Sequence, residues 1–439
     1  MGTVFGIDAI AFWIVVTGAM VGVSGALLGN YLVLRRLSLL GDAISHAILP
    51  GLAVSFVVTQ SRAPLAMLVG AALAGLATAA LTEWIRRFAG VPEDAAMGVV
   101  FTTLFAAGVV IITRSASAVD LDPGCVLYGI LESAALDTRL ILGFEIPRIT
   151  ITMGVMTVAV IAFVVAFWKE LKVVSFDPDL ATTLGIRASW VHALLMFMTA
   201  AYCVAAFEAV GSILVVAMLI VPPATAYLLT DRLWVMAVIS AVLGAAAALV
   251  GRFGASALST SAAGMMAVAA GLTFALAVLF APRYGYIAKR VSRAAAALNV
   301  VREDLLGMLY RLREVSPERR LSERDALSAV GGEVLSRIAL ATALRAGEVR
   351  RDADSLLLTE RGVSRAANLI RGHRLWESYL EKYFGVSPDR VHGPADRVEH
   401  YLTDDLREDL AGHLGNPDLD PHGRPITDRI RSMPTARKR

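Results

Sequence analysis

The chain has 439 residues, of which 56% are apolar and 18% charged, and its mean hydropathy is +0.63. That balance excludes an ordinary soluble globule and points to a polytopic membrane protein with room for a modest soluble domain. The net charge of +3 is no more than basic membrane-flanking loops supply, and two cysteines, Cys125 and Cys203, make neither a disulfide framework nor a zinc-binding spacing.

The charges are unevenly spread. About 50 of the 79 acidic and basic residues, and five of the seven histidines, follow Tyr286. The two sides of that boundary therefore sit in different solvents. Before it, apolar runs of spanning length fall near 10–34, 43–60, 64–84, 93–113, 149–168, 190–208, 209–230, 233–251 and 260–281. The expected architecture is an all-α polytopic domain over residues 1–285, with about 8–9 transmembrane helices. Nothing at the N-terminus reads as a cleavable signal, so the first run is expected to be a permanent span. Arg35 and Arg36, Arg86 and Arg87, Lys169 and Lys172, Arg232, then Lys289 and Arg290 alternate correctly if all face the cytoplasm. On that assignment the N-terminus is external and everything after residue 282 is cytoplasmic.

The second run opens on Gly41-Asp42-Ala43-Ile44-Ser45-His46-Ala47-Ile48-Leu49-Pro50-Gly51. Asp42 and His46 are four apart, so on a helix they project from one face, a turn apart. A carboxylate and an imidazole inside a membrane span are costly unless they face a polar path or each other. An oxygen and a nitrogen donor stacked this way suit a divalent transition metal. The alternatives are an Asp–His packing pair, or Asp42 as a helix N-cap. The whole segment resembles the signature of the ABC permeases that import manganese, zinc or iron. Those proteins are the membrane half of binding-protein-dependent importers. The resemblance implies that Asp42 and His46 line the metal path. It also implies partnership with an ABC ATPase subunit and a periplasmic or extracellular metal-binding protein, a homodimeric assembly, and a place in the cell (inner) membrane.

Between the fourth and fifth runs, 115–148 carries Asp120, Asp122, Glu132 and Asp137 and reads as an external loop with a short helix through 125–131. The segment 119–129 is similar to that of manganese-type members, and its acidity either draws in a cation or is ordinary solvated charge. In the loop 175–186, Asp177-Pro178 starts a turn, 181–184 forms a short helix and Gly185 closes it. By resemblance, Ala181, Leu184 and Gly185 belong to the coupling helix that docks on the ATPase; an ordinary inter-helix loop is the alternative. Glu208-Ala209-Val210-Gly211 and Pro222-Pro223 resemble a late membrane pattern of the same family. The double proline is expected to break a helix inside the membrane, and Glu208 is either a pathway residue or a group at the outer surface. No Gly-x-x-x-x-Gly-Lys-Ser/Thr loop occurs, so the chain is read as a permease that binds no ATP, with hydrolysis on a separate subunit.

Residues 286–302 read as a helical connector. Beyond it, amphipathic helices are expected at 303–312, 323–330 and 332–346, then a β-hairpin around 352–355. Three helices followed by a hairpin is winged-helix arithmetic. Arg371-Gly372-His373-Arg374-Leu375-Trp376-Glu377, Val391-His392-Gly393-Pro394-Ala395-Asp396-Arg397-Val398-Glu399-His400 and Asp420-Pro421-His422-Gly423-Arg424-Pro425-Ile426 resemble the diphtheria-toxin-repressor and manganese-repressor family. The likeness covers 303–427 and implies a helical dimerisation region after the winged helix. Carried over position by position, the metal-sensing set is Asp304, His373, Asp396, Glu399 and His400, with Glu377 and His392 as an ancillary pair. Asp396, Glu399 and His400 at i, i+3 and i+4 would share a helix face, a chelate of oxygen and nitrogen donors or else an exposed charge cluster.

Asp396 in place of the iron sensors' cysteine favours manganese over zinc or iron. Two features depart from the family. Gly307 stands where the manganese branch has a glutamate ligand, and 332–345, the would-be recognition helix, is mostly apolar. The basic tail 428–439 suits phosphate or lipid headgroups. The expected function is the permease subunit of an ATP-driven divalent metal importer with a cytoplasmic metal-sensing domain. A permease fused to a metal-dependent DNA-binding repressor is the alternative.

Overall fold

The computed structural model describes residues 3–4, 7–37, 40–60, 64–115, 131–134, 137–141, 144–331 and 333–426. It divides into two compact units, Met1–Lys289 and Arg290–Arg439.

In the first unit a small hairpin, β1 (Thr3–Val4) and β2 (Ile7–Asp8), leads into α1 (Ala9–Leu34), α2 (Leu40–Thr59), α3 (Pro64–Ala89), α4 (Glu93–Ser115) and a short α5 (Leu131–Ala134). A second hairpin, β3 (Thr138–Ile141) and β4 (Phe144–Pro147), precedes α6 (Arg148–Ala166), α7 (Trp168–Phe176) and α8 (Pro178–Thr183). The unit ends with α9 (Ala188–Leu229), α10 (Leu233–Leu258) and α11 (Ala262–Phe280). Among the described residues six helices are long and apolar enough to cross a membrane: α1, α4, α6, α9, α10 and α11. As one straight helix α9 would run about 63 Å, twice the apolar thickness of a bilayer. It is instead two helices meeting at Gly211, whose φ of 78° and ψ of 167° lie outside helical space. Only a residue without a Cβ adopts that conformation readily.

The break therefore lies at Gly211, and the helix continues through Pro222 and Pro223, where the sequence reading put the interruption. Each proline leaves the carbonyl four residues back without its intrahelical donor, here Met218 and Leu219. Helix α1 packs directly on that backbone. A Cβ at Gly29 would stand 1.8 Å from the Leu219 carbonyl oxygen and 2.8 Å from Pro223. Farther along the same helix, a Cβ at Gly22 would meet the Gly244 carbonyl of α10 at 2.6 Å. Small residues are what allow helices to associate this closely in lipid, where dispersion rather than water exclusion holds them. Side-chain hydrogen bonds pin the seam: Asn30 Nδ2 donates to Ser240 Oγ at 2.8 Å, and the Tyr202 hydroxyl to the Val21 carbonyl at 3.0 Å.

The second unit takes up α12 (Tyr286–Val315) from Arg290 onward, so the expected connector and first helix are one continuous helix. Then follow β5 (Leu321–Ser322), α13 (Glu323–Ala329), α14 (Glu333–Arg345), β6 (Val349–Asp352), β7 (Ser355–Leu358), α15 (Glu360–Phe384) and α16 (Pro388–Val398). A 3₁₀ turn at Glu399–Tyr401 and α17 (Asp404–Leu414) complete it. The strands form an antiparallel sheet in the order β5-β7-β6, with Asp352 paired to Ser355 across the expected hairpin. One core gathers Leu305, Leu309, Ala326, Leu340, Leu356 and Ile370; a second gathers Leu375, Leu410, Leu414 and Ile426. Arg374 is 2% exposed, a burial that needs paired charge. It donates to Glu314 Oε2 and to the Pro425 carbonyl, both at 2.6 Å, and so ties α15 to α12 and to the final turn.

Candidate metal centres

In the first unit α2 starts at Leu40, which puts Asp42 and His46 in its first two turns at the spacing of a shared face. Their side chains lie outside the described residues. Gly41 beside them sits against the Leu219 side chain, so the motif begins next to the side chains of the α9 turn that precedes Pro222-Pro223. Glu208, three residues before the Gly211 break, accepts from Arg148 Nη2 at 2.5 Å, with its side chain 44% exposed. Its charge is therefore compensated. Asp120, Asp122 and Cys125 lie outside the described residues, as does the tail 428–439. Glu132 accepts from the Ala262 backbone N–H at 2.7 Å, a role at the start of α11.

The short helix expected at 181–184 begins three residues earlier, as α8, and Leu184 is its C-cap residue. Asp177 caps it by accepting from the Leu180 N–H at 2.9 Å, and Pro178 is preorganised for the first helical position. Gly185, at φ 81°, closes it. The Ile186 N–H reaches the Ala181 carbonyl at 2.9 Å and the Gly185 N–H that of Thr182 at 3.0 Å. These two bonds define a Schellman end. Ala181 is fully buried, whereas Leu180 and Leu184 are 49% and 63% exposed, a small apolar knob.

The second unit brings all seven of its expected ligands into one chain of three clusters, each with donor atoms within 4.8 Å of one another. Asp304, Glu399 and His400 form the first; His373, Asp396 and Glu399 the second; His373, Glu377 and His392 the third. They are not one face of one helix. α16 ends at Val398, and the tighter 3₁₀ turn that follows separates Glu399 and His400 from Asp396. Glu399 bridges the first two clusters, its Oε1 3.7 Å from His400 Nε2 and its Oε2 2.5 Å from His373 Nδ1. His373 bridges the second and third, since its Nε2 lies 3.1 Å from Glu377 Oε1 and 2.9 Å from His392 Nδ1. A neutral imidazole offers one lone pair, so His373 serves a metal in either the second or the third cluster. The donor set, oxygen and nitrogen with no sulfur, fits manganese, iron or zinc, and these residues would hold such an ion.

Electrostatics support the same grouping. Burial opposes charge on His373, but the carboxylates of Glu377 and Glu399 outweigh it and lift the imidazole to about 9. Burial likewise opposes charge on His400, and Asp304, Glu303 and Glu399 lift it to about 10. Glu377 is carried the other way, to about 2, because His373 and His392 overcome its burial. Without metal His373 and His400 are thus charged partners of the acids, and an ion has to displace their protons.

Two participants escaped the sequence reading. Glu303 accepts from His400 Nδ1 at 2.9 Å, which turns Nε2 toward Asp304, 3.2 Å away. Its signal was adjacency to Asp304. Arg311 reaches the second cluster from α12, and nothing in its spacing singled it out. At Gly307 a Cβ would meet the side chains of Leu369 at 3.5 Å and Ile370 at 3.7 Å, so the position of the absent glutamate faces the apolar core.

Comparison with known proteins agrees with this division. Residues 8–281 match the ABC 3 transport family, and residues 359–428 match the iron dependent repressor, metal binding and dimerisation domain. The manganese transport system membrane protein MntD of Bacillus subtilis is 42% identical over 280 residues, 64% of this chain and 95% of that protein. The zinc transport system membrane protein TroD of Treponema pallidum is 36% identical over 362 residues, 80% of this chain and 97% of that protein. That alignment is longer than the first unit, so it extends into the second. Among solved structures, PsaBC from Streptococcus pneumoniae in complex with Fab superposes with a TM-score of 0.53 at 30% identity, covering 64% of this chain and 94% of that one.

Proposed function

The chain belongs to the ABC 3 transport family, and on that premise we propose that it is the permease subunit of an ATP-driven divalent metal importer with a metal sensor on its cytoplasmic side. It is a multi-pass membrane protein with six apolar helices of spanning length among its described residues. Counting α2 and α3 as well, and dividing α9 at Gly211, brings the spans to nine. The basic loops then assign the second unit to the cytoplasm. Absence of a phosphate-binding loop from the sequence leaves ATP hydrolysis to a separate subunit. The exposed Leu180 and Leu184 of the rigidly capped α8 are the surface that subunit engages. An external metal-binding protein delivers the ion, two copies of the permease form the path, and Asp42 and His46 line it. Glu208, already paired with Arg148, borders that path without ligating.

The observation that carries the sensing half is the three oxygen–nitrogen clusters linked through His373 and Glu399. Manganese is favoured by this sulfur-free donor set, and zinc and iron are the other options that relatives' names suggest. The β6–β7 hairpin behind α12, α13 and α14 supports a winged helix. Its α14, however, exposes Val334 at 74% and Ile338 at 47% beside Arg337 and Arg345, too few groups to read base edges. We therefore place regulation of transport ahead of operator binding. Replacing His46 by Ala tests the permease half: uptake should cease while the protein remains inserted and complexed, and normal uptake would refute the pathway. A gel shift of the chain on its own promoter, with and without Mn(II), tests the repressor alternative.

A further inference from the structure

The second unit contains a cation that the sensing mechanism leaves unused. Arg311 follows Asp304 and Gly307 along one stripe of α12, and its Nη2 lies 3.6 Å from Glu399 Oε2 and 3.9 Å from Asp396 Oδ1. Those same two oxygens face His373 Nδ1, at 2.5 and 3.5 Å, and complete the second cluster. The Nη2 atom is buried and makes no hydrogen bond. A guanidinium is permanently charged, and at separations beyond hydrogen-bond range it attracts both carboxylates without a directed bond to either. It compensates the cluster and yet is not locked into it. Among the described residues no arginine or lysine forms an ion pair with Asp304 or Glu377, the acids that belong only to the first and third clusters.

Resting on the metal-sensing reading, we propose that Arg311 is an intramolecular stand-in for a metal ion at the His373–Asp396–Glu399 cluster and sets its affinity. A divalent ion enters this cluster only by displacing the guanidinium, because both need the same two oxygens. The cluster therefore fills last, and the outer two respond at lower metal concentration. Since His373 serves only one ion at a time, filling the second cluster also empties the third of its central imidazole. The displaced charge belongs to α12, which runs unbroken from Tyr286 to Val315.

The test uses the full chain in lipid nanodiscs, in an Asp42→Ala/His46→Ala background so that the membrane motif contributes no ion. Mn(II) binding is followed by calorimetry and metal-free unfolding by thermal melting. Arg311→Met should tighten the weakest Mn(II) step about tenfold, or about 1.4 kcal/mol, while lowering the metal-free melting temperature. Arg311→Lys, which keeps a cation, should bind as the parent does. A merely structural arginine would instead lose affinity and stability together on substitution. Unchanged or weaker Mn(II) binding by Arg311→Met, or equal tightening in the lysine variant, overturns the proposal. If the methionine variant does not fold, Arg311→Gln carries the same expectation. Mn(II) binding abolished by His400→Ala but indifferent to Arg311 refutes only the stand-in. No Mn(II) binding by the parent refutes the sensor as well.

Discussion

In the metal-free second unit the surrounding carboxylates favour the charged forms of His373 and His400. His373 and His400, raised from 6.5 to about 9 and about 10, give stability that is complete below pH 6.5 and is lost as pH rises through those values. Glu377, lowered from 4.5 to about 2, gives stability present above pH 4.5 and lost as pH falls toward 2. The metal-free unit should therefore melt highest between about pH 4.5 and 6.5. Ligation needs neutral imidazoles, so the rise in melting temperature on adding Mn(II) should grow from about pH 6 to about pH 8. A rise that ignores pH would argue against imidazole ligands. The reference histidine value alone would put proton competition near pH 6.5, because sequence spacing does not reveal which acids the fold packs around an imidazole. Glu303 adds a second residue-scale expectation. Because it holds His400 Nδ1, Glu303→Ala should weaken Mn(II) binding by about 10–100-fold although it removes no ligand. Wild-type affinity in that variant would show that His400 needs no such support.

Among the elements, α1, α8 and α9 show how backbone detail shapes the membrane unit. A side chain at Gly29 has no room beside the Leu219 carbonyl, 1.8 Å from where its Cβ would stand. Gly29→Val should therefore abolish assembly of the membrane unit, seen as loss of monodisperse protein in detergent; a stable, active variant would mean the α1–α9 contact is looser than described. In α8, Gly185→Val forces a β-branched residue to φ 81° and should cost about 1–2 kcal/mol at the turn. Leu184→Arg leaves the turn intact, and we expect it to reduce ATPase stimulation by the binding protein while the complex still copurifies. Unchanged hydrolysis would deny α8 a docking role. The capped turn was legible in Asp177-Pro178 and Gly185 because capping is a local rule. The position of the α9 break was not. Pro222-Pro223 is the obvious breaker in sequence, yet closely packed glycines of α1 accommodate its freed carbonyls, and the φ that departs from the helix falls to Gly211.

At the scale of the whole molecule, the uneven distribution of charge disclosed two units, and the division falls at Lys289–Arg290. The acids and histidines that the second unit gathers were all named from the sequence, but their partition into three clusters was not. Asp304 and His373 are far apart in sequence, and only tertiary folding shows that Glu399 and His373 are shared between clusters or that Arg311 lies against one of them. The proposed function requires that metal carried inward by the first unit is read by the second. The decisive measurement is uptake of Mn(II) into proteoliposomes holding this chain, an ABC ATPase and a metal-binding protein, at fixed external and varied internal Mn(II). Uptake by the unaltered chain should slow as internal Mn(II) rises, and the His373→Ala/His400→Ala variant should transport at an undiminished rate throughout. Uptake indifferent to internal Mn(II) in the unaltered chain, or equally slowed in the double variant, would contradict it.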